Sequence, residues 1–334
     1  MISNSRRKVA LTGFGSVGQA LAHILIDYRE IPIDITAVVD RGGYALSPDG
    51  LSPVELLEAK GHGSVAMHRT GRSEPFNESA LKQSGADVLL ELSSTNYSDG
   101  EPGWSYVRAA LALDMDVVLA SKGPLVAHWD DLYGLAAEHK SSVGISATHG
   151  APLPLIDLAR FGLTGSRLKS VRALFNSTTG LLLEHMENGK SLPEALAVAR
   201  EAGVVETDPS LDVEGWDAAA KCVIVARSLF AGSLTLEQVD RRGIENLTTA
   251  EVQAAATAGT PIKLLCRINN SAAGVRASVQ PTRLQSSDPL STLRNGALGI
   301  VYDAEPIGPM FLAAYGSGGT STAAAVIRDV LNLR

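Results

Sequence analysis

Cysteine is nearly absent: the 334 residues include only two, Cys222 and Cys266, each inside an apolar run. So few, so placed, support neither a disulfide framework nor a zinc site, and both are read as buried structural thiols in a reducing compartment. Long apolar runs are also lacking, and none approaches the roughly 20 residues of a membrane span. The opening residues, MISNSRRKVALTGFG, pass from a short polar lead into a strand without a signal-peptide pattern, so a cytoplasmic location is expected. Positive charge is not in surplus: 29 Lys and Arg against 36 Asp and Glu leave a formal charge of -7. A nucleic-acid partner is therefore not expected, although a small anion bound locally remains compatible. There is no internal repeat or low-complexity linker, and no zinc spacing, serine–histidine elbow or P-loop motif.

A chain of this length exceeds a single core, and two domains are expected. Residues 9 to 120 alternate short β-branched runs with helix-like stretches, the pattern of a parallel sheet covered on both faces. The runs are Val9 to Thr12, Ile35 to Asp40, Val88 to Leu92 and Val117 to Ala120, with Val143 to Ala147 closing the series before a turn holding Gly150, Pro152 and Pro154. The first domain should end there. Beyond it, Ser170 to Asn176, Ile262 to Ile268 and Val275 to Val279 read as strands. SLPEALAVAREAG reads as a helix, with a capping box at Ser191 and Glu194 and a stop at Gly203. An antiparallel sheet with helices fits this half better than a second doubly wound unit.

The segment VALTGFGSVGQALAHIL sets Gly13, Gly15 and Gly18 in GxGxxG spacing between a strand and a helix of period 3.6. Gly13 permits the tight turn, Gly15 leaves room for a pyrophosphate and Gly18 lets helix and strand pack closely, while the helix start offers unpaired N–H groups to phosphate. Phe14, Ser16 and Val17 complete the turn. Asp40, ending the second strand, can accept hydrogen bonds from adenine ribose hydroxyls, which favours NAD; Arg41, directly after it, could instead pair with the 2′-phosphate of NADP. NAD is preferred, with NADP open.

Four further segments resemble homoserine dehydrogenase in its short arrangement without a C-terminal regulatory domain: GEPGWSYVRAAL at 100–111, VVLASKGPL at 117–125, ETDPSLDVEGWDAAAK at 206–221 and GSGGTSTAAAV at 316–326. The resemblance covers nearly the whole chain. It implies an α/β fold class: a Rossmann-type doubly wound parallel sheet in 1–147, an α+β substrate-binding and dimerisation domain in 148–303, and a segment 304–334 that returns to the nucleotide-binding domain. It also implies reversible hydride transfer between homoserine and aspartate 4-semialdehyde, in a homodimer. In that reading Lys122 and Lys221 flank the reacting carbon as catalytic residues. A lysine in water is a poor base at neutral pH, so one that deprotonates an alcohol needs tuning by burial or a neighbouring cation. Glu206 and Asp212 would meet the substrate's amino end, with Asp217 sharing a helix face with Lys221 at i,i+4. Taken alone, the stretch holding Glu206, Asp208, Asp212, Glu214 and Asp217 equally describes a solvated, helix-capping segment. Thr178 is a candidate hydroxyl donor to substrate, and Ser93, Ser94, Lys122, Gly318 and Thr322 are candidate cofactor contacts.

The chain departs from the family pattern near the substrate. Where the family has Asn-Gly-Thr-Thr/Ser-Asn, Ser177 replaces the glycine and Gly180 the second asparagine. Ser121 replaces the asparagine before the strand-end lysine. At the domain junction Ser146 stands where the family has the glutamate of its monovalent-cation loop, so no bound metal is expected, and His149 is read as a satisfied loop histidine. Three readings stay open: homoserine dehydrogenase, a related dehydrogenase for another small amino or hydroxy aldehyde, and a nucleotide-binding sensor without turnover.

Overall fold

The computed structural model describes residues 6–203, 209–230, 232–316 and 318–333. Two compact units divide the chain: residues up to Ala151 together with those from Gly318 onward, and Pro152–Ser317.

In the first unit a seven-stranded sheet is built from β1 (Arg7–Thr12), β2 (Ile33–Asp40), β3 (Gly43–Leu46), β4 (Gly71–Arg72), β5 (Val88–Glu91), β6 (Asp116–Leu119) and β7 (Val143–Gly144), in the order β4-β3-β2-β1-β5-β6-β7. The run β2-β1-β5-β6-β7 is parallel, while β3 and β4 add antiparallel strands at one edge. Chain order reverses between β1 and β5, and ligands of open α/β sheets bind in the crevice at that point. The helix Ser16–Asp27 lays Gly18, Leu21, Ala22 and Leu25 on the sheet, and its core is shared with Val326 and Val330 of the C-terminal helix Gly319–Asn332. Strands β3 and β4 carry too few residues to show an apolar period. The strand expected over Val143 to Ala147 stops at Gly144, because the Ser146 amide is taken by the Asp329 carboxylate at 2.7 Å and the chain turns into a 3₁₀ segment, Ser146–Thr148.

The second unit holds a six-stranded sheet of β8 (Arg167–Leu174), β9 (Asp240–Arg241), β10 (Ile262–Ser271), β11 (Gly274–Arg283), β12 (Leu298–Glu305) and β13 (Gly308–Ala314), ordered β13-β12-β8-β10-β11-β9 and antiparallel except where β9 joins β11. Helices Ser177–Glu187, Trp216–Leu229 and Thr249–Thr257 pack against β10. Trp216–Leu229 buries a continuous run from Val223 to Ala226 along with Ala218, Ala219, Ala220 and Cys222. Cys222 and Cys266 are free and buried. Burial, and then the neighbouring Cys266, push the Cys222 thiol well above its ordinary range. The capping box of Ser191 and Glu194 starts helix Leu192–Glu201. The units divide after Ala151 and Ser317, whereas the sequence places the divisions after 147 and 303. Residues 304–314 stay in the second unit because they complete the β12–β13 hairpin.

Candidate functional site

In the first unit the three glycines of the turn meet different surroundings. Gly13 has φ +111°, and a Cβ there would stand 2.4 Å from the Leu92 carbonyl oxygen; at Gly18 it would stand 2.7 Å from the Gly13 oxygen; at Gly15 it would meet nothing within 4 Å. Positions 13 and 18 therefore lack side chains so that the protein can pack, and position 15 borders open space. That space is a cavity of about 520 Å³ lined by Gly13, Phe14, Gly15, Asp40, Arg41, Lys60, Ser93, Ser94, Pro102 and Tyr106, among others. The helix starting at Ser16 points its N-terminal N–H groups towards this turn. A Cβ on Gly319 would stand 2.8 Å from the Ser16 oxygen, so a second helix N-terminus starts beside the first. Two positive helix ends beside an open glycine fit a pyrophosphate, and the cavity fits a dinucleotide.

Asp40 is less available than its position in the sequence suggests. Oδ1 accepts from Ser64 Oγ at 2.7 Å and Gly42 N at 2.9 Å; Oδ2 accepts from Lys60 Nζ at 2.6 Å and Val65 N at 3.2 Å. A carboxylate has about four acceptor sites, and protein donors occupy that many here. Burial works to raise the Asp40 carboxyl, but these bonds, the one from Lys60 foremost, outweigh it and hold the group below its ordinary range. Lys60, in the last turn of helix Pro53–Gly61, has no sequence signal tying it to Asp40; the fold brings them together.

Of the other candidates in this unit, Val17 packs into the core. Lys122 caps the short helix Gly123–Ala127 after β6, with its backbone N–H donating to Thr95 Oγ1 at 3.3 Å. Gly318 caps the C-terminal helix, and Thr322 Oγ1 returns a bond to the Gly318 carbonyl at 3.0 Å. His149 is buried. Asp329, which no motif marks, is the carboxylate that docks on Ser146.

In the second unit Asn176 organises the polar cluster. Its Oδ1 accepts from Thr179 N at 2.8 Å and so caps helix Ser177–Glu187, while its Nδ2 donates to Asp212 Oδ1 at 2.6 Å and to Asp217 Oδ2 at 2.9 Å. Lys221 Nζ lies 2.7 Å from Asp217 Oδ2 and donates to the Phe175 carbonyl at 2.8 Å. Asn176 carries no assigned role in the sequence pattern; its signal there is its position before a helix that follows a strand, where it becomes the N-cap. Thr178 is buried in the first helical turn. Glu214 turns elsewhere, accepting from Trp216 Nε1 at 3.0 Å, and Arg241 stacks 3.6 Å above the Trp216 ring, fixing the start of the helix that carries Asp217 and Lys221. Glu206 and Asp208 lie outside the described residues. Two carboxylates and one ammonium thus meet around the Asn176 amide. Among the described residues, no group of three or more His, Cys, Asp or Glu is placed to hold a metal ion.

Residues 13–145 match a family model described as the NAD-binding domain of homoserine dehydrogenase, and residues 154–331 match the homoserine dehydrogenase model. An NAD(+)-dependent homoserine dehydrogenase of Pseudomonas canavaninivorans is 31% identical over 336 residues, covering 98% of this chain and 96% of that protein. A homoserine dehydrogenase of Methanocaldococcus jannaschii is 29% identical over 334 residues, covering 97% and 98%. Among solved structures, a hyperthermophilic archaeal homoserine dehydrogenase in complex with NADPH superposes with TM-score 0.84 at 25% identity, over 98% of this chain and 97% of that one.

Proposed function

Because this chain belongs to the homoserine dehydrogenase family, we propose that it catalyses reversible hydride transfer between L-homoserine and L-aspartate 4-semialdehyde with NAD or NADP. The observation that carries the substrate half is the Asn176 amide shared between Asp212 and Asp217, with Lys221 beside them. Its paired carboxylates can accept hydrogen bonds from the ammonium of an amino-acid substrate, and Glu206 would add to them. Bound nicotinamide supplies the hydride donor or acceptor. Gly13, Gly15, Ser16, Ser93 and Ser94, with Gly318 and Thr322 at the second helix start, would hold the dinucleotide, and Gly18 would let the helix start approach it. Lys122 and Lys221 manage the proton: in the reducing direction an ammonium gives a proton to the oxygen of the carbon that gains hydride, and in the oxidising direction the amine takes it back. The Asp217 carboxylate and Phe175 carbonyl orient the Lys221 ammonium for this work. Thr178 would give a hydroxyl to the substrate once the substrate is present.

Choice of nucleotide turns on Asp40. With its acceptor sites filled and its charge matched by Lys60, its hold on ribose hydroxyls and its repulsion of a 2′-phosphate are both reduced, while Arg41 lines the cavity as a further cation. This moves the balance from NAD towards NADP. We also propose a homodimer, as the family resemblance implies.

The test is steady-state oxidation of a panel of 2-amino and hydroxy alcohols, with each nucleotide, by the parent and by Lys122→Ala and Lys221→Ala. Homoserine should give the highest kcat/KM, and each lysine variant should lose about a hundredfold to ten-thousandfold in kcat, the scale of general acid–base loss. Near-parental kcat in both variants would sink the mechanism. A different preferred alcohol, which the changes at Ser177 and Gly180 make worth including, would redirect the substrate assignment alone.

A further inference from the structure

Glu91 ends β5 at the carboxyl edge of the first unit's sheet, and its side chain is completely buried. What meets the carboxylate is hydroxyl and backbone N–H. Ser93 gives its N–H at 2.9 Å to Oε1 and donates its hydroxyl to the same oxygen; the Ser121 hydroxyl donates to Oε2, and the Ser121 amide approaches as well. Gly103, the first residue of helix Gly103–Leu111, comes so near that a Cβ there would stand 2.9 Å from the carboxylate carbon. Hydrophobic side chains of similar volume would cost less in this place, since a buried carboxylate loses its hydration and recovers only part of it from hydrogen bonds.

A carboxylate buried at such cost at a ligand-binding edge calls for a role, and its partners indicate one. Ser93 lines the dinucleotide cavity, and Ser121 immediately precedes Lys122. The carboxylate thus ties the loop after β5 to the loop after β6. Gly123, just beyond Lys122, packs on the same loop, where a Cβ would stand 2.4 Å from the Asn96 oxygen. With Ser121 held from below and Gly123 held from the side, the backbone of Lys122 has little freedom.

We propose that Glu91 is a positioning residue, acting through Ser121 to fix Lys122 and through Ser93 to fix the nucleotide-lining loop. The assignment uses no contact between Glu91 and substrate. Its kinetic consequence rests on the proposed role of Lys122, whereas its structural consequence does not.

The experiment compares the parent with Glu91→Gln, Ser121→Ala, the double variant and Ser121→Thr. Lysines are ¹³C-dimethylated, the Lys122 signal is assigned with Lys122→Arg, and its NMR shift is followed beside kcat, KM and nucleotide affinity by calorimetry. Glu91→Gln and Ser121→Ala should each displace the Lys122 signal and lower kcat by about ten- to a hundredfold, the scale of a small misplacement. KM should change less than kcat, and Ser121→Thr, which keeps the hydroxyl, should restore the signal and rate. The double variant should be no worse than the poorer single variant, because both act through one contact. An unmoved Lys122 signal in both single variants, or losses that multiply, overturns the proposal. If the parent fails to oxidise homoserine, the activity assignment falls while the NMR shift still decides the positioning. Ser121→Ala removes one hydroxyl only, so the decision stands even if Glu91→Gln does not fold.

Discussion

A side chain at position 15 would project into open cavity, since an added Cβ there meets no protein atom within 4 Å and the backbone needs no positive φ. Gly15→Val should therefore leave the melting temperature nearly unchanged while weakening NAD and NADP binding by about a hundredfold, roughly 2.8 kcal/mol. Calorimetry checks it, and parental affinity would mean the pyrophosphate does not approach this turn. Glu91 makes the opposite trade. Burial, the dominant influence, raises its carboxyl pKa despite the bonds from Ser121 and Ser93, and the nearby Tyr106 hydroxyl is raised in turn by its own burial and then by Glu91. An acid whose folded pKa exceeds its unfolded value contributes most below the unfolded pKa and loses that contribution as pH rises through the folded one. Glu91→Gln has no such loss. Its melting temperature relative to the parent should climb from pH 4.5 to pH 8, and a flat difference across that range would show that Glu91 keeps its ordinary titration.

At the scale of elements, helix starts decide how the first unit receives its ligand. Gly319 opens the C-terminal helix against the Ser16 oxygen, where a Cβ would stand at 2.8 Å from backbone that cannot yield easily. Gly319→Ala should cost about 1–3 kcal/mol, the usual scale of overpacking, and should weaken nucleotide binding by moving that helix start. Gly134, inside helix Trp129–His139, has open space around it; Gly134→Ala should gain up to about 1 kcal/mol and leave binding alone. Thermal melts of the two variants supply the check, and equal effects would remove Gly319 from the binding argument. The short elements were the least legible in the sequence. β3 and β4 have four and two residues, too short for a period to show. β12 and β13 pair as a hairpin around Pro306, a residue that reads as a break when met in sequence.

At the scale of the whole molecule, helices cover one face of the second sheet, while Arg172, Arg267, Arg283 and Phe311 border a groove of about 570 Å³, with Phe311 40% exposed. A homodimer would cover such a surface. Light scattering should give a mass near twice 35.0 kDa at micromolar concentration, and a strict monomer would count against the assembly without touching the chemistry. Among the described residues no helix is long and apolar enough to cross a membrane.

Local spacing carries some of this protein's properties. GxGxxG between a strand and a helix is a short-range pattern, so the turn, its helix and the family resemblance were legible from residues close together in the chain; the i,i+4 pair of Asp217 and Lys221 was legible for the same reason. Asp40 and Lys60, Glu91 and Ser121, Ser146 and Asp329, and Asn176 with Asp212 are instead separated by 20 to 183 positions. No periodicity links such pairs. Whether a carboxylate is open to ribose or already filled, or a buried acid grips the residue before a lysine, depends on which strand ends and helix ends packing brings side by side. That is a property of sheet order and tertiary contact, and only the folded chain could decide it.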